Sequence, residues 1–233
     1  MERIDLFSSG IYKTKVNMDF ENKSKLVKEI KQNYNIDPDR KTTGPGIPYT
    51  TFHSYYNDFG NNKFNKLNLD HLKMEYQKIF KNFFENIFPL DRNKPYRYEW
   101  ELVNCQVGYE GEMSPHSHQA IRDDGYTCQF VSSHFLSFDD NFHNSTSFCN
   151  PTNINQFLDI TSIQKKIDAS NVKNSIYYEN YHLNTEEDDM FIFPAYLRHY
   201  VKRRNNFSEN KLRIIMVCNI MLDVSPTFGK KKI

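Results

Sequence analysis

The sequence predicts a domain of the α+β class, in which helices pack on one face of a mainly β core. Two observations lead to this prediction. Before Pro95 the apolar residues recur at helical spacing, and after Pro95 they alternate with a period of two. Because helices and strands are segregated along the chain, we expect an antiparallel β-sandwich or barrel with the helices against one of its sheets.

The length of 233 residues suits one large domain. We predict a helix-rich part at 1–95, a β core at 96–223 and a tail at 224–233. Aromatic residues make up 15% of the chain, with 19 Phe and 15 Tyr, and large rings can fill a core that has few aliphatic residues. The 30 basic and 29 acidic residues nearly cancel, so we expect no nucleic-acid partner.

The four cysteines, Cys105, Cys128, Cys149 and Cys218, are widely spaced and form no CxxC motif. This pattern indicates buried free thiols in a reducing compartment. The N-terminus lacks the apolar run of a signal peptide, and no window is apolar over ~18 residues. We therefore expect a soluble, cytoplasmic protein without a membrane partner.

The first part of the chain contains two predicted helices. One spans about 20–33 with Asp19 or Asn22 as its cap, and the other spans 69–88 with Asn68 as its cap and Pro89 after its end. A strand is predicted near 11–16. The long segment 35–66, which contains Gly44-Pro45-Gly46, is predicted to be a loop and a candidate lid.

The second part contains four predicted strands, at 98–108, 127–138, 190–194 and 212–222. The polar segment 139–186 is predicted to be rich in loops, with a short helix near 160–170 and a strand near 176–178. We expect this segment and the loop at 35–66 to determine substrate specificity.

Three histidines carry the chemistry that the sequence predicts. His116 and His118 are two residues apart and would point to the same face of a strand. His199 follows the predicted buried strand that ends at Pro194. Three imidazoles from two places in the chain can hold a transition metal on one side and leave positions open for a substrate.

Arg213 lies in an apolar strand, on the same face as Ile215, Val217 and Asn219. A buried guanidinium needs an anionic partner, and its planar fork suits a carboxylate. The partner could be a bound carboxylate or an acidic side chain in a structural ion pair. Among the other histidines, we predict that His134 is packed or hydrogen-bonded in the core and that His53, His71 and His182 are structural or exposed, while His143 could line the mouth of the pocket.

These segments resemble the 2-oxoglutarate and Fe(II)-dependent dioxygenases, and in particular a group of such oxygenases common in marine bacteria and their phages. The likeness covers most of the chain, including the loop around His53. Its motifs are Trp100–Asn104 with Gly108, His116–His118, Asp189–Pro194 with His199, and Arg213–Asn219. The resemblance implies a double-stranded β-helix (jelly-roll, cupin-like) fold with N-terminal helices on one sheet.

The resemblance also implies an activity, in which 2-oxoglutarate decarboxylation is coupled to hydroxylation of a separate substrate that no motif identifies. Fe(II) would be held by His116, His118 and His199. Arg213 would bind the C5 carboxylate of 2-oxoglutarate, and Tyr109 and Asn219 would help to hold this small-molecule co-substrate. The chain would then be a non-haem iron dioxygenase.

One residue departs from the family pattern, because His118 stands where the wider superfamily has Asp or Glu. Three outcomes follow: all three histidines bind iron, His116 and His199 bind it with Asp123 or Asp124, or the site is inactive. A non-catalytic jelly-roll binding module and a three-histidine cupin-type dioxygenase that uses no 2-oxoglutarate are the alternative functions. Arg213 distinguishes the three-histidine dioxygenase from the 2-oxoglutarate-dependent dioxygenase, because an enzyme that uses no 2-oxoglutarate has no need of a residue that binds it.

Overall fold

A computed structural model describes residues 1–6, 9–36, 66–91, 93–109, 113–118, 128–151, 180–202 and 211–223. Apart from its two ends, the predicted lid at 35–66 lies outside these residues. The helix and strand predicted near 160–178, the tail at 224–233, His53, Asp123 and Asp124 lie outside them as well.

The described chain has two helical segments. Helix α1 spans Phe20–Ile36, and helix α2 spans Asp70–Asn82 and continues as a π-helical turn over Phe83–Ile87. The strands are β1 Glu2–Leu6, β2 Ser9–Lys15, β3 Arg97–Gly108, β4 Met113–His116, β5 Cys128–Ser137, β6 Ser147–Cys149, β7 Asn180–His182, β8 Asp189–Pro194, β9 His199–Val201 and β10 Arg213–Asp223.

The strands form two sheets. The major sheet has six strands in the order β1-β2-β8-β5-β10-β3, and the minor sheet has four in the order β4-β9-β6-β7. Every pairing between described strands is antiparallel. This architecture confirms the predicted class, with a mainly β core.

Alternation along the central strand β10 divides the core into two layers. Ile214, Met216, Cys218 and Ile220 belong to an outer cluster, in which the major sheet packs against both helices. Ile215 and Val217 belong to an inner cluster, which lies between the two sheets. The predicted assignment of faces is confirmed, and Arg213 and Asn219 alternate with the outer residues, so they lie on the inner face.

The outer cluster is dominated by rings from helix α2 and its π-helical turn. Leu72, Tyr76, Phe80, Phe83 and Phe84 are buried there at the helical spacing that the sequence shows. At the start of this helix the Asn68 side chain accepts a hydrogen bond of 3.1 Å from the Asp70 amide. The helices thus cover one face of the major sheet and leave the other face to the barrel interior.

Most strands of the minor sheet were not predicted from the sequence. Strands β6 and β7 lie in the segment predicted to be rich in loops, and each has three residues. A strand this short shows at most one full alternation, so it has no readable period. None of the helices in the described ranges is long and apolar enough to cross a membrane.

Candidate metal centre

The three predicted histidines come together on the minor sheet. His116 ends β4 and His199 begins β9, and the two residues are directly paired in the antiparallel ladder. His118 lies two residues beyond the end of β4, not inside a strand as the spacing predicted. Its backbone N–H donates to the Ala195 carbonyl at 2.9 Å, which fixes the chain beside His199.

The side chains converge closely enough to share one ion. One nitrogen from each imidazole lies within 4.8 Å of the other two. The ring centroids are 4.3 Å apart for His116 and His199, 5.1 Å for His116 and His118, and 5.2 Å for His118 and His199. Three imidazole donors from one side are a donor set that suits iron and other first-row transition metals.

Backbone carbonyls set the tautomer of two of the three rings. His116 Nδ1 lies 2.9 Å from the Ser114 carbonyl oxygen, and His199 Nδ1 lies 3.0 Å from the Leu197 carbonyl oxygen. A carbonyl can only accept, so each Nδ1 carries the proton and each Nε2 keeps its lone pair for a metal.

Burial keeps the rings of His199 and His118 neutral. Desolvation lowers the pKa of His199 to about 3, and repulsion from His116 and His118 adds to the decrease. Desolvation lowers the pKa of His118 to about 4, with a further decrease from His116 and a partial increase from contact with Asn219. Neutral imidazoles are ready to bind a metal at pH 7.

Aromatic rings shield His199 from water. The Phe193 ring lies 4.9 Å from the His199 ring and the Phe148 ring 5.7 Å from it, measured between centroids. Both phenylalanines are fully buried in the inner cluster. Their role was not predicted from the sequence. Phe193 could have been found from the alternation in β8, whereas Phe148 lies in a strand too short to be recognised.

Arg213 is a buried cation on the inner face of the major sheet. It is 4% exposed, and its guanidinium carbon lies 5.8 Å from the centroid of the Phe135 ring. Burial lowers the pKa of Arg213 to about 10, so the group stays charged at pH 7. No acidic side chain among the described residues pairs with it, and its Nε has no hydrogen-bond partner. This environment fits a bound carboxylate better than the structural ion pair.

The two other predicted co-substrate residues lie on opposite faces. Tyr109 packs edge to face on Tyr34 of α1, with centroids 5.7 Å apart, at the border of the outer cluster. Asn219 is 9% exposed, and its side chain contacts His118. The co-substrate roles of both residues stay predictions, as does the alternative carboxylate ligand at Asp123 or Asp124.

The remaining described histidines lie outside the triad. His134 is fully buried, and its Nδ1 pairs with the Tyr76 hydroxyl at 2.8 Å, as predicted for a core histidine. His143 is buried, accepts from the Asp139 amide and pairs with the Lys211 carbonyl. His182 pairs with the Ser147 hydroxyl. None of the four cysteines forms a disulfide bond; Cys149 is partly exposed, and the other three are buried.

No family model and no curated protein matches the sequence. Solved structures match over almost the whole chain. AviO1 from Streptomyces viridochromogenes aligns with a TM-score of 0.53 and 11% identity, over 95% of this chain and 92% of its own. SnoN, a non-haem α-ketoglutarate-dependent epimerase from nogalamycin biosynthesis, aligns with a TM-score of 0.50 and 10% identity, over 95% and 83%.

A third match is HygX from Streptomyces hygroscopicus, whose structure contains nickel and 2-oxoglutarate, with a TM-score of 0.42 and 11% identity over 91% of this chain and 82% of its own. At sequence identities this low, the structural similarity is evidence for the fold alone. The chain therefore has the double-stranded β-helix fold of the 2-oxoglutarate and Fe(II)-dependent oxygenases, as the motifs of its sequence predict.

Proposed function

We propose that the protein is a 2-oxoglutarate and Fe(II)-dependent dioxygenase that hydroxylates a separate substrate. One observation carries the proposal: three convergent imidazoles face the same barrel interior as a buried arginine with no acidic partner among the described residues. A metal-binding module alone would not need the arginine, and burying it without a ligand is costly.

The residues have separate roles in this proposal. His116, His118 and His199 hold the iron, which would supply the one-electron chemistry that activates dioxygen. Arg213 orients 2-oxoglutarate by a bidentate bond to its C5 carboxylate. Phe148 and Phe193 keep water from the His199 side of the site, which protects the reaction from competing hydrolysis and proton transfer.

A three-histidine dioxygenase that uses no 2-oxoglutarate is the second candidate, and the donor set itself favours it. Three imidazole nitrogens carry no charge, so a bound Fe(II) would keep its charge of +2. In the usual set of two histidines and one carboxylate, the carboxylate ligand would reduce that charge by one. Arg213 argues for the first candidate, because the second has no anion for it to bind. The four free cysteines fit the cytoplasmic location that we propose for the protein.

The test is an anaerobic titration of the full-length apoprotein with Fe(II) and 2-oxoglutarate, following the visible charge-transfer band of the chelate. The variants are His199→Ala, His118→Ala and Arg213→Ala, and the control is His71→Ala, an exposed histidine on helix α2. We expect the band in the wild type and the control, its loss in His199→Ala and a weaker band at equal 2-oxoglutarate in the other two variants.

Other results would assign another function. Iron binding without a charge-transfer band, unchanged in Arg213→Ala, would support the three-histidine dioxygenase. A full band in His118→Ala would move the third ligand to Asp123, Asp124 or water. No bound metal in the wild type would leave a binding module and end the catalytic proposal.

A further inference from the structure

The three histidines differ in the hydrogen-bond acceptor of the ring nitrogen that would not bind the metal. For His116 and His199, a backbone carbonyl holds Nδ1, at 2.9 and 3.0 Å. No such carbonyl holds the ring of His118 in the part of the chain that the structure describes. A neutral ligand histidine carries a proton on the nitrogen that does not bind the metal, and a buried N–H needs an acceptor.

An acceptor without a donor lies beside this ring. Asn219 sits on the inner face of β10 and is 9% exposed, and its side chain contacts His118. Its Oδ1 is buried and makes no hydrogen bond of full geometry, although the Asn219 side chain lies near enough to the His118 ring to interact with it. Leaving a buried amide oxygen unpaired is unfavourable. Strand β10 thus places the Asn219 amide oxygen next to His118, the histidine of the triad whose ring N–H has no carbonyl acceptor among the described residues.

We infer that Asn219 is the positioning residue of His118: its Oδ1 accepts the Nδ1 proton once a metal occupies Nε2. The inference rests on the proposed function, because it requires the triad to be a metal site. Asn219 would do for His118 what the Ser114 and Leu197 carbonyls do for the other two rings.

This role also explains how a histidine can stand in the carboxylate position. A carboxylate ligand on a strand is oriented by its own short side chain, whereas His118 lies beyond the end of β4, where its backbone N–H bonds to the Ala195 carbonyl. The imidazole therefore needs a partner from another element. Asn219 supplies it from the opposite sheet, and an amide does so without adding charge.

The test uses Co(II), whose visible spectrum reports the number and geometry of its ligands. Full-length wild type is compared with Asn219→Leu, which keeps the volume but no acceptor, and Asn219→Asp, which keeps an acceptor. The control is Asn104→Leu, which removes another amide with a buried, unpaired Oδ1 from β3. Affinities come from competition with a chelator, after circular dichroism has confirmed folding.

We expect Asn219→Leu to weaken Co(II) binding by ~10–100-fold and to alter the visible bands, because its third ligand is no longer held. Asn219→Asp should bind within a few-fold of wild type, and so should Asn104→Leu. In the Zn(II)-loaded wild type, two-dimensional ¹⁵N NMR should show a slowly exchanging proton on His118 Nδ1.

The inference is overturned if Asn219→Leu binds Co(II) like wild type, or if Asn104→Leu loses as much affinity as Asn219→Leu. If Asn219→Leu does not fold, a large loss in a folded Asn219→Asp, or a proton on Nε2 of His118 in the Zn(II) form, overturns it instead. Failure of the proposed function looks different, because the wild type itself would then bind no Co(II).

Discussion

The two faces of the major sheet are built from the same strands and are opposite in character. On the outer face, charged and polar groups have partners within the fold: His134 Nδ1 pairs with the Tyr76 hydroxyl of α2, and Asp188 pairs with Lys23 of α1 at 2.7 Å. His134 Nε2 and Asp188 Oδ1 form no hydrogen bond, but they face each other at 3.7 Å. On the inner face, Arg213 Nε is buried without a hydrogen bond, and no acidic side chain among the described residues pairs with Arg213. The charge on the outer face is thus compensated within the described fold, whereas the charge of Arg213 is not.

This contrast separates stability from function along a single strand. Unpaired buried polar groups are rare in folded proteins, so each is a candidate contact for a water molecule, an ion or a ligand. On β10 such groups occur at Arg213 and Asn219, and the residues that alternate with them are apolar and packed on the helices. Substitutions on the two faces should therefore change different measured quantities.

The largest expected effect is that of Arg213→Met. Loss of the guanidinium should weaken 2-oxoglutarate binding by roughly 30-fold or more, which is the cost of about 2 kcal/mol for removing one partner of a buried charge pair. The same substitution should raise the free energy of unfolding of the apoprotein by about 1–3 kcal/mol, because the unpaired cation is gone. Isothermal titration calorimetry and urea unfolding measure the two effects.

Arg213→Lys is the matched variant, because it keeps the charge and loses the planar fork. It should weaken 2-oxoglutarate binding without stabilising the apoprotein. A destabilised Arg213→Met protein would show instead that Arg213 is part of the folded core, and the contrast between the two faces would fail at its main residue.

An intermediate effect is expected on the outer face. Tyr76→Phe removes the hydroxyl that pairs with His134 and should lower the free energy of unfolding by about 1–2 kcal/mol, because a buried nitrogen loses its partner. Metal affinity should not change. The control is Tyr98→Phe, which removes a partly exposed hydroxyl bonded to Gln77 and should cost less than about 0.5 kcal/mol in urea unfolding.

The smallest expected effect is a pH dependence that comes from His134. Desolvation lowers the pKa of this fully buried ring, although Asp188 opposes the decrease. Below about pH 6.5 the His134 imidazole takes up a proton in the unfolded chain but stays neutral in the folded protein. The free energy of unfolding therefore falls as the pH falls. The loss should grow as the pH decreases through the range in which the unfolded imidazole takes up its proton.

The comparison with His134→Gln isolates this contribution. Urea unfolding of both proteins between about pH 7 and 5 should show a shallower fall in the variant. A constant difference between the two curves across this range would mean that His134 does not titrate in the unfolding reaction.

Much of this arrangement could be predicted from the sequence where the strands are long. The eleven residues of β10 gave enough alternation to place Arg213 and Asn219 on one face, and helix α2 was predicted from its apolar stripe. Convergence of the histidines was predicted from the spacing of His116 and His118 and from the resemblance. The position of His118 beyond the strand end was not, because it depends on contacts with distant residues such as the backbone bond to Ala195.

The unpaired state of Arg213 and Asn219 could not be predicted either. Sequence shows that a polar residue lies in an apolar strand, but the presence or absence of a partner depends on residues that are distant in the chain. Tyr109 illustrates the same dependence on distant residues, because its packing on Tyr34 of helix α1 could not be predicted from the sequence. Its co-substrate role stays a prediction.

The histidines and the arginine belong to different sheets, since β4 and β9 lie in the minor sheet and β10 in the major sheet. A molecule that binds iron at one end and Arg213 at the other would therefore link the two sheets. Its binding energy would add to the cohesion of the barrel. Amides in the short strands β4 and β9 should then exchange more slowly with solvent when both metal and co-substrate are present than with either alone.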